Sequence, residues 1–135
     1  MVLHNNIVGH LGEDIAVRFL STKDFSIIQR NYRKKWGEID IIAKKDHVIH
    51  FIEVKSISRT HGFVNMNKSD SVDEFMPEEN IHPWKIKRLL RTINSYLSEE
   101  YLHDTDTEWQ LDALIVVINE GEKKAHVKVI ENITT

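Results

Sequence analysis

Four side chains able to do chemistry lie inside two apolar runs: Glu38 and Asp40 in GEIDIIAK, and Glu53 and Lys55 in VIHFIEVKS. Strand side chains alternate between faces, so Glu38 and Asp40 share one face of their run, and Glu53 and Lys55 share one face of theirs. Setting Asp40 opposite Glu53 centres the turn between Asp46 and His47, inside the polar break Lys45-Asp46-His47. Asp40, Glu53 and Lys55 then project from one side of a sheet. Two such carboxylates repel, and a partly buried pair retains a proton or requires a cation. Hard divalent ions such as Mg or Mn take carboxylate oxygens, keep several waters and share coordination with a phosphate. With Lys55 positioned to orient a water or offset developing negative charge, the set suits hydrolysis of a phosphodiester. Taken alone, Glu-x-Lys on a strand equally describes a solvated face or a cross-strand ion pair.

Glu13 stands near Ala16 and Leu20 around a helix that advances about 100° per residue. From there it either reaches into the same site or acts as a first-turn acid that favours the helix dipole. The helix itself is read from Leu11, Ile15, Ala16, Phe19 and Leu20, ending near Thr22. Strands are expected at 25–32, 37–44 and 48–56, the last two forming a hairpin whose turn lacks the favoured Asn-Gly or Asp-Gly pair. Residues 57–80 are polar and aperiodic, with Gly62 and Pro77, and read as a long mobile surface loop. Pro83 suits a helix start, and Ile86, Leu89, Leu90, Ile93 and Leu97 give that helix an apolar face to about Tyr101. WQLDALIVVI at 109–118 is a strand covered on both faces, and 124–130 alternates as an edge strand. The expectation is a single α/β domain, 1–135, with a mixed sheet between helices.

A chain of 135 residues, 41% hydrophobic and 29% charged, has room for one core and is too apolar for general disorder. The absence of cysteine excludes disulfides and thiolate metal sites and fits a cytoplasmic setting. No leader-like or membrane-spanning apolar run is visible. The net charge of −3 conceals an uneven distribution. Residues 65–80 carry five acids against Lys68, a local −4, which leaves the rest of the chain at +1. Basic clusters lie at Arg30, Arg33, Lys34 and Lys35, interleaved with Tyr32 and Trp36, and at Lys85, Lys87, Arg88 and Arg91. Such mixtures suit phosphate contact and base stacking, although both also describe solvated surface. Trp84 and Trp109 read as packing residues. Eight histidines offer no zinc pattern beyond His47 and His50, and no Walker loop or Gly-x-Ser-x-Gly nucleophile is present.

At Gly9-x-x-Gly12-Glu13, Arg30-Asn31-Tyr32-Arg33, Gly37-Glu38-Ile39-Asp40 and Phe51-Ile52-Glu53-Val54-Lys55 the chain resembles the YraN-like family. Lys85-x-Lys87-Arg88-Leu89, Tyr96-Leu97 and Asp112 extend the likeness across most of residues 9–117. That family is related to PD-(D/E)XK endonucleases and Holliday junction resolvases. The resemblance implies a restriction-endonuclease-like mixed sheet flanked by helices, with Asp40 and Glu53 as Mg or Mn ligands. It further implies Lys55 as catalytic lysine and Glu13 as the helix-borne acid, with Glu38 and Asp112 as accessory positions. The expected activity is metal-dependent cleavage of DNA, branched or structured, by a homodimer. The alternative is a nucleic-acid-binding or adaptor module of the same fold without catalysis. Two features depart from the family pattern: Ile57 where relatives place a basic residue, and the acidic stretch 65–80. The latter is expected to gate the site or to dock a basic protein partner.

Overall fold

The computed structural model describes residues 2–59, 83–104 and 106–134, with side chains from residue 10 onward. The element order is α1 (Val2–Thr22), β1 (Ser26–Lys34), β2 (Gly37–Lys45), β3 (Val48–Arg59), α2 (Pro83–Glu100), β4 (Glu108–Asn119) and β5 (Lys124–Ile130). The five strands form one sheet in sequential order. Among the described residues only β3 and β4 run parallel, which makes the sheet mixed. This is the α/β layout that the periodicities imply.

Several boundaries differ from expectation. Helix α1 begins at Val2 rather than near Leu11, and β3 continues to Arg59, so residues 57–59 are strand rather than loop. Those three residues pair in parallel with β4, whose continuous apolar run supplies a full-length partner. The acidic stretch 65–80, and with it the expected gate, lies outside the described residues.

The β2–β3 turn is a two-residue loop with Asp46 at φ 50° and His47 at φ 69°, flanked by the rung Lys45↔Val48. Two consecutive left-handed residues are the signature of a type I′ turn, whose twist matches the flanking strands without the usual glycine. The register follows: Ile41 pairs with Ile52 and Ala43 with His50.

Each face of the sheet carries a core. On one side Phe51, Ile49, Ile42 and Leu111 pack with Leu89, Ile93 and Tyr96 of α2. On the other, Ile41, Ala43, Ile52 and Leu114 pack with Ala16 and Leu20 of α1. Strand β4 is buried from Leu111 to Asn119, as a strand covered on both faces must be. Two glycines set how closely the helices approach. A Cβ on Gly12 would stand 1.7 Å from Ser56 Oγ of β3, so α1 crosses the strand with backbone against side chain. A Cβ on Gly37 would stand 2.7 Å from Thr92 Oγ1, which seats the start of β2 beneath α2. Among the described residues no helix is long and apolar enough to cross a membrane.

Candidate active site

The β2–β3 ladder stops at the rung Ile41↔Ile52. Beyond it the two strands part: β2 stays paired with β1, while β3 continues along β4. Asp40 and Glu53 are the first residues past that last rung. At the same level β1 bends, with Asn31 at φ 54°, and the β1–β2 pairing passes from Arg30↔Ile41 to Tyr32↔Ile39 without a rung between. The parting leaves the Val54 amide without a strand partner in β2, and Asp40 Oδ2 accepts its N–H at 2.8 Å. The Glu53 carboxyl lies beside this carboxylate, close enough for the two acids to perturb each other. The sheet's fork thus brings the two acids together, as the parity argument requires.

Their electrostatics follow from burial. Glu53 is raised from 4.5 to about 8, first by loss of solvent and then by the Asp40 charge, with Lys85 opposing the shift. Asp40 is also raised, by burial above all, while the Val54 amide and the Glu53 carboxyl pull the other way. Burial and the repulsion of neighbouring carboxylates thus raise the proton affinity of both acids above the ordinary carboxylate value. Glu13 and Glu38 add negative charge to this site.

The remaining site residues divide. Lys85 Nζ of α2 lies 4.0 Å from Glu53 Oε1, a proximity its place in a basic helix face did not reveal. Glu53, Glu38, Lys85, Arg88, Trp84, Leu89 and Gly37 line a cleft of about 300 Å³. Lys55 lies two residues along β3 from Glu53 and is exposed. Glu13 Oε1 accepts from Asn31 Nδ2 at 3.0 Å and faces Arg30 Nη2 at 3.3 Å. Arg30 also holds Asp14 at 2.8 Å. Arg33 pairs with Glu38 at 2.7 Å and Lys34 with Glu99 at 2.5 Å, while Lys35 is exposed. The expected basic cluster at 30–35 is therefore dispersed over different neighbours, because strand alternation and the bend at Asn31 aim consecutive residues apart.

Asp112 is buried and sits opposite Ile52 on β4, away from the cleft. Its carboxylate takes His50 Nδ1 at 2.6 Å, Gln110 Nε2 at 2.8 Å and the Asn132 amide at 2.8 Å. This knot ties three segments and satisfies each buried polar group. Trp84, expected in the core, is instead 56% exposed at the mouth of the cleft. Trp109 does pack, with its ring 5.9 Å from that of Phe51.

Whether the pair suits a divalent ion is decided by the donors. Among the described residues no group of three or more His, Cys, Asp or Glu side chains converges to hold an ion alone. Asp40 and Glu53 offer two carboxylates, all oxygen, whose proton affinities burial and neighbouring negative charge raise together. Mg²⁺ is typically bound by one or two carboxylates, several waters and a substrate phosphate, and this donor set meets that requirement.

Residues 12–117 match the profile of a family described as "Uncharacterised protein family UPF0102". The chain is 37% identical over 134 residues to a UPF0102 protein of Campylobacter lari, covering 99% of both chains. It is 40% identical over 126 residues to one of Helicobacter hepaticus, 93% of both. A Sulfurovum protein of the same description is 38% identical over 129 residues, 95% of this chain and 94% of its own.

Proposed function

The chain belongs to the uncharacterised protein family UPF0102, and from that premise we propose that it is a divalent-metal-dependent nuclease hydrolysing phosphodiester bonds in DNA. The observation that carries the reading is the half-buried Asp40–Glu53 carboxyl pair at the fork of β2 and β3, with Glu53 lining a cleft edged by Lys85 and Arg88. Like charges placed so closely in a partly buried site are costly to the apo protein, and a cation-binding role accounts for them.

In this reading Asp40 and Glu53 hold Mg²⁺ or Mn²⁺. When bound, such an ion neutralises charge on the phosphate and lowers the pKa of water. Binding requires Glu53 to release its proton, which Lys85 favours by its charge. Asp40 is kept in place by the Val54 amide, so its position does not depend on the occupancy of the site. Lys55 orients the attacking water or offsets charge at the phosphate. Glu13 supplies a further carboxylate once Arg30 and Asn31 yield it. Arg88 and Lys85 contact the strand's phosphates, and structured or branched DNA is the substrate class.

The engagement of Glu13 by Arg30 and Asn31 supports a second reading, a DNA-binding module of the same fold without catalysis. Cleavage of end-labelled duplex, single-stranded and four-way-junction DNA separates the two. Wild type is expected to cut in Mn²⁺ and Glu53→Ala to lose more activity than the roughly 10–100-fold that removing a mere outer-shell partner of a metal ligand costs. Metal-independent binding without cleavage of any substrate supports the second reading and overturns the first.

A further inference from the structure

Arg30 is shared between two neighbouring acids of α1. Its Nη2 donates to Asp14 Oδ1 at 2.8 Å and to Glu13 Oε1 at 3.3 Å. The first is an ordinary charge-assisted hydrogen bond and the second is longer than one, so Asp14 holds the guanidinium more closely than Glu13 does. Asn31 Nδ2 donates to the same Glu13 oxygen at 3.0 Å, from the left-handed bend at φ 54°. The two acids differ in setting, with the Asp14 side chain 58% exposed and the Glu13 side chain 14%. Gly12 brings the backbone at Glu13 close to the candidate metal site: it lies against Ser56 of β3, three residues past Glu53, with no room for a Cβ. The charge of Glu13 is felt at Asp40. Yet among the described residues no third acid joins Asp40 and Glu53 in a cluster able to hold an ion. Glu13 is therefore delivered to the neighbourhood of the pair by its helix and kept out of it by the orientation of its side chain.

We infer that Arg30 is a latch on Glu13, a positioning residue that withholds this further carboxylate from a cation held by Asp40 and Glu53, and that Asp14 weakens the latch by competing for the same guanidinium. The inference rests on the metal-site reading above. Release of Glu13 gives up one long contact to Arg30 and the Asn31 hydrogen bond, while Arg30 keeps its shorter bond to Asp14. Without Asp14 the guanidinium has only Glu13 to hold, and the latch tightens. Once turned toward a divalent ion, Glu13 adds an oxygen donor of the kind that Mg²⁺ and Mn²⁺ take.

The test is Mn²⁺ binding by the full chain without DNA, read from loss of the free-ion electron paramagnetic resonance signal, with urea unfolding of each variant as a control of the fold. Wild type is expected to bind and Glu53→Gln to bind far more weakly. Arg30→Gln should tighten binding by roughly 2- to 5-fold, the scale of one partly exposed ion pair, and Asp14→Asn should weaken it by a similar factor. Removing a charge beside a cation site also acts directly, and a double-mutant cycle separates that part. In a Glu13→Gln background both changes should lose most of their effect, and in an Arg30→Gln background so should Asp14→Asn. Equal effects with and without Glu13, or an unchanged Mn²⁺ affinity in folded Arg30→Gln, overturns the inference. A wild type that binds no Mn²⁺ overturns the metal site and the latch together. Binding that Glu53→Gln abolishes and Arg30→Gln leaves alone overturns only the latch, and a working latch without cleavage of any DNA defeats only the nuclease reading.

Discussion

Replacing Glu53 by Gln tests the origin of the site's strain. Glu53 rises from 4.5 to about 8 on folding, so the folded state binds the proton more tightly than the unfolded chain does. The sign follows: this contribution is complete below pH 4.5 and is lost as pH rises through about 8. At about 1.4 kcal/mol per pH unit, the ceiling is about 5 kcal/mol between pH 4 and 9. The side chain keeps 21% exposure, and solvent screening brings the expected loss to roughly 2–3 kcal/mol. Glutamine keeps a donor toward Asp40 and has no proton to lose. Urea unfolding in EDTA from pH 5 to 9 should therefore show wild type losing roughly 2–3 kcal/mol more than Glu53→Gln, with the variant the more stable above pH 8. Mn²⁺ should stabilise wild type increasingly with pH and leave the variant unmoved. Parallel pH curves for the two proteins, or a variant less stable at pH 9, would refute the account of the pair.

Gly12→Ala should destabilise by about 1 kcal/mol, since a Cβ 1.7 Å from Ser56 Oγ and 2.8 Å from Ser56 Cβ outweighs the helix gain of about 1 kcal/mol. In a Ser56→Gly background the same change should become stabilising, and chemical denaturation showing the same sign in both backgrounds would contradict the close approach. Asp112→Ala leaves three donors unmatched and should cost about 3 kcal/mol or more of stability. Asp112→Asn, milder in its effect, should still cleave DNA at near the wild-type rate, and a loss beyond about tenfold in a folded protein would assign Asp112 to the chemistry. Gly37→Ala should lower the denaturation midpoint, because the added methyl meets Thr92 Oγ1 at 2.7 Å, and Thr92→Ser should not relieve it since the hydroxyl remains.

Most of the architecture was legible because hydrophobic period and strand parity are local properties. The alternation in GEIDIIAK and VIHFIEVKS, with the polar break at 45–47, implies the register whose last rung, Ile41↔Ile52, leaves Asp40 and Glu53 next in line just beyond it. The double left-handed turn at Asp46 and His47 was not legible, because neither residue advertises positive φ as glycine does. From sequence Lys85 reads only as part of a basic helix face, since its meeting with Glu53 depends on how α2 crosses the sheet. Gly37 and Thr92 set part of that crossing, and no local pattern encodes it. Trp84 departs from its expected packing role for a related reason, since aromatic type predicts burial only on average and this residue, in the first turn of α2, is 56% exposed. Arg30 shows the same limit from the other side. Its charge suggested phosphate contact, and the bend at Asn31 turned it toward Glu13 and Asp14.

The most direct test of the central claim is the rate of DNA cleavage as a function of Mn²⁺ concentration for wild type, Asp40→Asn, Glu53→Gln and Lys55→Ala. Wild-type activity should saturate with metal and vanish in EDTA. Asp40→Asn and Glu53→Gln should demand far more metal or cut nothing. Lys55→Ala should saturate at the wild-type concentration but at a rate lower by roughly 10²–10³-fold, the size of one lost electrostatic group. Cleavage by Glu53→Gln with the wild-type rate and metal dependence would contradict the account.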